Sequence, residues 1–202
     1  MRSRRTQALV VYAHPDPTSY CAQLRDAAVR GLTASGGRVD VVDLYADGFE
    51  ARMSTAERLA YESGAPILDP RVRSYGELTT RAETLVFVYP TWWWGLPAVL
   101  KGWLERVLVP GVGFTLDART NKVQPGLTNL RRIIGISTYR SSRVASMAFT
   151  DAGRRILLRS VRGMAPPWGC RSQWLALHRV ERCSTAERNA FAARVEANVA
   201  KS

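Results

Sequence analysis

Apolar residues gather along this chain in short runs, each followed by a polar or glycine-bearing stretch and then by apolar positions three and four apart. Residues 8–12 form the first run, and behind it Cys21, Leu24, Ala28 and Leu32 recur at helical spacing before Gly36 and Gly37. That order predicts strand, loop, helix and turn. Residues 39–44 give a second strand, and 84–89 and 133–137 a third and fourth whose unbroken apolar character belongs to strands buried on both faces. Between those two, residues 98–108 keep Leu100, Leu104 and Leu108 in one row beside Trp103 and Val107, a helix with one apolar face. A fifth strand is predicted at 173–177, ahead of a last helix. Its start is marked by Ser184 and Glu187, whose side chains satisfy the first free amides reciprocally in a capping box. The same five residues occur at 54–58, with no periodic repeat around either copy, and predict a second helix start of the same chemistry.

Strands alternating with helices predict a doubly wound α/β domain: five parallel strands with right-handed crossovers covering both faces. The 202 residues, 46% of them hydrophobic, suffice for one core, so residues 7–202 are expected to form a single domain after a disordered basic tail at 1–6. In such sheets ligands bind beyond the carboxyl ends of the strands, which directs attention to the segments after Tyr12, Tyr89 and Ser137.

Composition narrows the setting. No apolar run approaches the roughly 20 residues of a membrane-spanning helix, so no membrane span is expected. Three cysteines, Cys21, Cys170 and Cys183, without a C-x-x-C pair, speak against a disulfide framework or a thiolate metal site and point to a reducing cytoplasm. Formal net charge is +12, and between Arg131 and Arg182 eleven arginines face only Asp151 and Glu181. Such a charge fits either a solvated surface or a phosphate-attracting rim. No nucleic-acid reader motif accompanies it, so nucleic acid is not an expected partner.

The first loop, His14-Pro15-Asp16-Pro17-Thr18-Ser19-Tyr20, runs straight into a helix. Free amides, the helix dipole and the Thr18 and Ser19 hydroxyls together form an anion site, or Ser19 serves only as helix cap and His14 as a packed loop residue. Neither a G-x-G-x-x-G nor a Walker A pattern competes for this loop. The third strand opens into Pro90-Thr91-Trp92-Trp93-Trp94-Gly95-Leu96-Pro97. Three adjacent indoles cannot all enter one core; on a strand-end loop they offer planes that can flank a ring system, or they serve as core anchors or an interfacial membrane belt.

These segments, above all Trp93-Trp94-Gly95-Leu96-Pro97-Ala98-Val99-Leu100-Lys101-Gly102-Trp103 read with Ala13-His14 and Thr18-Ser19-Tyr20, resemble the flavodoxin-like NAD(P)H:quinone oxidoreductases of the DT-diaphorase type and the bacterial drug-modulator and potassium-efflux ancillary flavoproteins. The resemblance implies a flavodoxin-like five-stranded sheet, a tightly held flavin (FAD, with FMN possible), NAD(P)H as co-substrate, and a homodimer with sites at the subunit interface. It implies that His14, Thr18, Ser19 and Tyr20 hold the flavin phosphates and ribityl chain, and that Pro90, Thr91, Trp92, Trp93 and Trp94 wrap the isoalloxazine edge. Ser137, Thr138 and Tyr139 stand where the family presents backbone and hydroxyls to the flavin pyrimidine. Cys21 replaces an asparagine that touches the cofactor in the mammalian-type enzymes, and the family's tyrosine and histidine pair has no counterpart in the pattern.

The implied reaction is ping-pong: NAD(P)H gives hydride to flavin N5 and leaves, and a quinone or similar acceptor then takes two electrons in the same place. For the missing pair, Tyr139 as hydrogen-bond or proton donor and Arg140 or Arg143 as electrostatic stabiliser are the candidates. Two rival readings remain open at this point. One keeps the flavin and changes the acceptor to an azo compound, a nitroaromatic or a biosynthetic intermediate; the other makes the chain a non-catalytic ancillary subunit docking through its basic third.

Overall fold

The computed structural model describes residues 6–61, 65–117, 119–149 and 151–201; the tail expected at 1–6 lies, apart from Thr6, outside them. In chain order, β1 (Gln7–Tyr12) leads to α1 (Tyr20–Ala34), β2 (Arg38–Asp43), the short α2 (Thr55–Ala60), α3 (Pro70–Arg81) and β3 (Thr84–Pro90). Then come α4 (Ala98–Val107), a small hairpin of β4 (Phe114–Leu116) and β5 (Val123–Pro125), and β6 (Arg132–Thr138). The crossover out of β6 holds α5 (Arg143–Ala148), α6 (Ala152–Arg155) and a π-helical turn at Ile156–Val161, before β7 (Arg171–Leu177) and α7 (Thr185–Val199).

Five strands form one parallel sheet in the order β2-β1-β3-β6-β7. The central strands are the unbroken apolar runs: every residue of β3 and all but the first of β1 and β6 are buried. Alternate residues feed two cores, since pleating sends neighbours to opposite faces. Leu9, Val11, Leu85, Phe87 and Ile133 pack with Trp103 and Leu100 of α4 on one face. Val10, Tyr12, Val86, Val88, Ile134 and Ile136 meet Leu24 and Ala28 of α1 and Phe191 and Val195 of α7 on the other. Both capping boxes form as the sequence predicts, Ser54 with Glu57 and Ser184 with Glu187.

Two close approaches fix the frame around the strand ends. At Gly31 a Cβ would lie 2.3 Å from the Glu196 carbonyl, so a side chain there would force α1 and α7 apart. At Gly135 a Cβ would lie 2.1 Å from the ring of Trp174, its register partner on β7. The missing side chain leaves room for that indole against β6. The hairpin and the α5–α6 crossover carry no run that the sequence pattern singles out. Their shortness, three to six residues per element, leaves too few positions for a periodic signal.

Candidate functional site

Three loops meet at the carboxyl ends of β1, β3 and β6. The first is closed on itself by Asp16, whose carboxylate accepts from the Thr18 amide at 2.8 Å and the Thr18 hydroxyl at 2.7 Å. Those bonds hold the Asp16 carboxyl below its usual range. His14 Nδ1 accepts from the Asp16 amide at 3.0 Å. Ser19 caps α1, accepting from the Ala22 amide, and its hydroxyl lies 3.2 Å from Tyr12 Oη. The cap reading of Ser19 is therefore real. It leaves the amides of Tyr20 and Cys21, the first two of a 15-residue helix, without partners among the described residues. Unpaired amides at the positive end of a helix dipole favour an anion.

Tyr20 turns away from this opening, donating to the Arg188 carbonyl at 2.7 Å and so tying α1 to α7; burial pushes its phenol up to about 12. Cys21 is buried with its sulfur 3.4 Å from Thr138 Oγ1, and burial pushes its thiol up to about 11, so it stays protonated. This contact joins the start of α1 to the end of β6.

After β3 the chain makes a two-residue turn. Trp92 and Gly95 exchange backbone hydrogen bonds, and Trp93 and Trp94 between them both have positive φ, 48° and 58°. Turns of this kind favour Asn-Gly, because bulky side chains are strained in the left-handed region. Trp92 tilts toward His14 with ring centroids 6.2 Å apart, Trp94 stacks on Phe149 at 4.7 Å, and Trp93 is 98% exposed. Beneath the turn Thr91 donates its amide to the Thr138 carbonyl, and its hydroxyl lies 2.8 Å from that of Ser137, which in turn donates to the Tyr89 carbonyl. Pro90 is buried against Thr138 at the strand end.

A cavity of about 480 Å³ opens here, lined by Thr91, Trp92, Trp93, Trp94, Tyr139, Arg140 and Ser141. Of the residues singled out in the sequence, the structure brings Thr91, the three tryptophans, Tyr139 and Arg140 into one lining. His14 reaches its edge through Trp92, Ser137 and Thr138 lie buried beneath, and Thr18, Ser19 and Tyr20 form the neighbouring helix start. Arg140 is exposed and pairs with Glu181 at 2.8 Å.

Tyr139 is the partition between this cavity and a larger one. Its ring stacks on His178 at 4.5 Å and its hydroxyl donates to the Asp151 carboxylate. Burial, reinforced by Asp151, raises its pKa, so the phenol keeps its proton across the neutral range. His178 Nδ1 lies 3.2 Å from the Ser146 hydroxyl, and burial with the nearby Arg143 lowers its pKa. The second cavity, about 810 Å³, lies on the far side of Tyr139, with Asp151, His178, Trp174 and a set of arginines in its walls. Asp151 and His178 escaped sequence reasoning. Their signals were there: Asp151 is one of only two acids between Arg131 and Arg182, and His178 is one of two histidines.

The arginine-rich third divides in the structure. Arg132 donates to the carbonyls of Asn198, Val199 and Lys201 at the C-terminus of α7, Arg131 to those of Thr128 and Leu130, and Arg162 to that of Cys170. Those are structural. Arg143, Arg154, Arg155 and Arg159 instead line the second cavity.

The lining fits a flavin. Indole planes and the loop hydroxyls suit a tricyclic ring, and the unpaired Tyr20 and Cys21 amides suit its phosphate. Among the described residues no helix is long and apolar enough to cross a membrane, and no group of three His, Cys, Asp or Glu side chains is placed to hold a metal.

Comparison with known proteins finds relatives in sequence and in fold. The chain is 31% identical over 169 residues to a rat (Rattus norvegicus) protein named NAD(P)H dehydrogenase [quinone] 1, a match covering 75% of this chain and 60% of that protein, so the chain spans less than two thirds of that relative's length. A crystal structure from Streptococcus mutans UA159 superposes with a TM-score of 0.82 at 25% identity, covering 98% of this chain and 100% of the other. An NAD(P)H:quinone oxidoreductase from Methanothermobacter marburgensis shares the fold with a TM-score of 0.77 at 22% identity, covering 98% and 96%. The model of the family described as having a flavodoxin-like fold matches residues 6–201, and the chain belongs to that family.

Proposed function

We propose that this protein is a flavin-dependent NAD(P)H:quinone oxidoreductase. The observation that carries the reading is the strained Trp93–Trp94 turn at the end of β3, which lines a cavity beside the free amides of α1. Strained backbone persists where surrounding structure and function hold it, and each such residue costs roughly 1–3 kcal/mol. The family resemblance and the rat relative's name support the same activity.

In this reading a bound flavin supplies the two-electron carrier: NAD(P)H is oxidised by loss of a hydride, and the quinone takes two electrons and two protons to become a hydroquinone. The chain's own residues do the rest. Backbone amides of Tyr20 and Cys21 hold the phosphate, while Thr18, Ser19 and His14 shape the loop around it. Pro90, Thr91 and the three tryptophans position the ring, and Ser137, Thr138 and the Tyr139 backbone form its floor. Arg140, which pairs with Glu181, stands on the cavity wall as the candidate electrostatic stabiliser of a ring bound there. Tyr139 gives its one hydroxyl hydrogen bond to the Asp151 carboxylate and acts by positioning the wall, not as an acid that ionises. FAD is the first candidate and FMN the second. Val144, Met147 and Phe149 on the crossover are exposed like Trp93, an apolar rim that suits the homodimer of the reading.

The test is to purify the protein, release any yellow chromophore and identify it by mass, then follow NADPH oxidation with and without a quinone. Expected are one flavin per chain and quinone-dependent turnover in a species of twice the chain mass. A colourless protein that takes up neither FAD nor FMN overturns the proposal.

A further inference from the structure

Several arginines of this chain are matched by acids: Arg25 by Asp26 and Asp43, Arg30 by Glu196, and the buried Arg106 by Glu57 and Asp69. The second cavity departs from that pattern. Its walls carry Arg143, Arg154, Arg155, Arg159 and Arg194, and among the described residues none of the five guanidinium groups makes an ion pair. The one carboxylate in the lining, Asp151, is already engaged by the Tyr139 hydroxyl and by the Arg154 amide at 2.9 Å. His178 in the same wall registers the excess of positive charge: burial, with Arg143 adding to it, holds its pKa below the usual histidine value. Like charges grouped around one concavity repel one another until an anion joins them, and their field gathers anions from solution.

The backbone supplies an independent observation. The five arginines come from α5, the crossover behind it and α7, and at their centre is the π-helical turn Ile156–Val161, which Arg155 precedes and which contains Arg159. Such turns are rare and concentrate at functional sites. Leu157 and Val161 of the turn stay in the core, while Arg155 and Arg159 are exposed and four apart, a spacing at which like charges repel along a helix. No ion pair among the described residues offsets that repulsion.

We propose that this cavity is a binding site for a multiply charged phosphate group carried by a small molecule, with Arg155 and Arg159 as its principal contacts. Charge and shape select that class. A single carboxylate cannot balance five guanidinium groups, whereas a phosphate ester carries about two charges at neutral pH and presents oxygens that a guanidinium fork meets in pairs. A concave space of about 810 Å³ suits a small molecule and not an extended polymer. The site stands behind Tyr139 and takes no part in electron transfer, so donor and acceptor still use the ring cavity in turn. Two sources carry this chemistry: the 2′-phosphate at the far end of NADPH, whose nicotinamide stays in the ring cavity, and a free pyrophosphate or nucleotide. The inference does not depend on the oxidoreductase reading.

Inorganic pyrophosphate is to be titrated by calorimetry into the protein as purified, into the double variant Arg155→Gln, Arg159→Gln, and into a control that loses the same charge elsewhere, Arg38→Gln, Arg119→Gln. All four substituted arginines are exposed, so both variants are expected to fold. Wild type and control should bind alike and with a marked salt dependence, and the cavity variant about tenfold more weakly. Pyrophosphate should likewise raise the urea midpoint of wild type and control, and raise that of the cavity variant less. The pair 2′,5′-ADP and 5′-AMP separates the sources. A preference for 2′,5′-ADP that disappears in the cavity variant, with a raised KM for NADPH and an unchanged KM for NADH, supports the inference with the donor as source. Equal binding of the two nucleotides, with both KM values unchanged in a variant that has lost pyrophosphate, supports it with a free anion as source. A cavity variant that binds pyrophosphate no more weakly than the control overturns the inference, and so does undetectable binding to the wild type at low salt. Quinone turnover is read separately: its absence sinks the oxidoreductase reading and leaves the calorimetric result intact.

Discussion

The two cavities on either side of Tyr139 are built from opposite materials. One is walled by indoles on a strained turn and closed below by a run of hydroxyls, Thr91, Ser137 and Thr138; the other is rimmed by guanidinium groups that make no ion pair among the described residues, with Asp151, His178 and Trp174 in its walls. The first relies on backbone shape, which holds large rings where no core would take them. The second relies on like charges held together without counterions. A site that grips a planar cofactor needs rigidity, and a site that admits passing anions needs field and access.

The largest expected effect comes from breaking the wall behind the arginine cavity. Gly135→Ala would push a methyl into the Trp174 ring, which backs the arginine cavity and meets Tyr89 edge-on at 6.2 Å. Overpacking of this kind costs about 3 kcal/mol at the upper end of the usual range, read as a lower urea midpoint. If Gly135→Ala unfolds at the wild-type midpoint, the indole is not wedged as described.

Relaxing the turn should act in the other direction. Replacing Trp93 with Asn and Trp94 with Gly supplies residues that accept positive φ, and should stabilise the protein by about 2 kcal/mol while abolishing flavin retention on desalting. Unchanged flavin content with raised stability would show that the indoles do not grip the ring. Asp151→Asn sharpens the contrast more gently. It keeps an acceptor for Tyr139 but removes the one carboxylate that lines the arginine cavity among the described residues, and should cost about 1 kcal/mol in urea unfolding.

The smallest effect is a pH dependence. His178 has a lowered pKa in the fold, so the unfolded chain takes up the proton more readily. Its neutral form therefore contributes stability above the unfolded pKa, and that contribution is lost as pH falls from neutrality through the folded pKa. His178→Gln should flatten the corresponding part of the stability profile in urea unfolding between neutral and mildly acidic pH. An unaltered slope would mean that Arg143 and burial do not act on this ring.

The site was legible from the sequence only where chemistry is local. Residues 84–94 combine a buried strand with a loop that cannot be core, and the structure places Thr91 and the tryptophans together in one lining. Tyr139 and Arg140 could be placed after a strand, but the Asp151 carboxylate that fixes the Tyr139 hydroxyl comes from a short crossover without periodicity, and His178 from the far side of β7. Likewise Tyr20, in line with the anion loop by sequence, is turned to α7 by a bond to Arg188 that spans most of the chain.

By itself the sequence determined the parallel sheet, the helix starts at Ser54 and Ser184 and the loops that carry chemistry, because apolar periodicity and capping act within a few residues of one another. Only the tertiary structure decided which arginines cap carbonyls and which ring a cavity, and that Tyr139 divides two chambers. Those outcomes depend on which distant segments β6, β7 and the crossover bring into contact, and no local pattern encodes that distance.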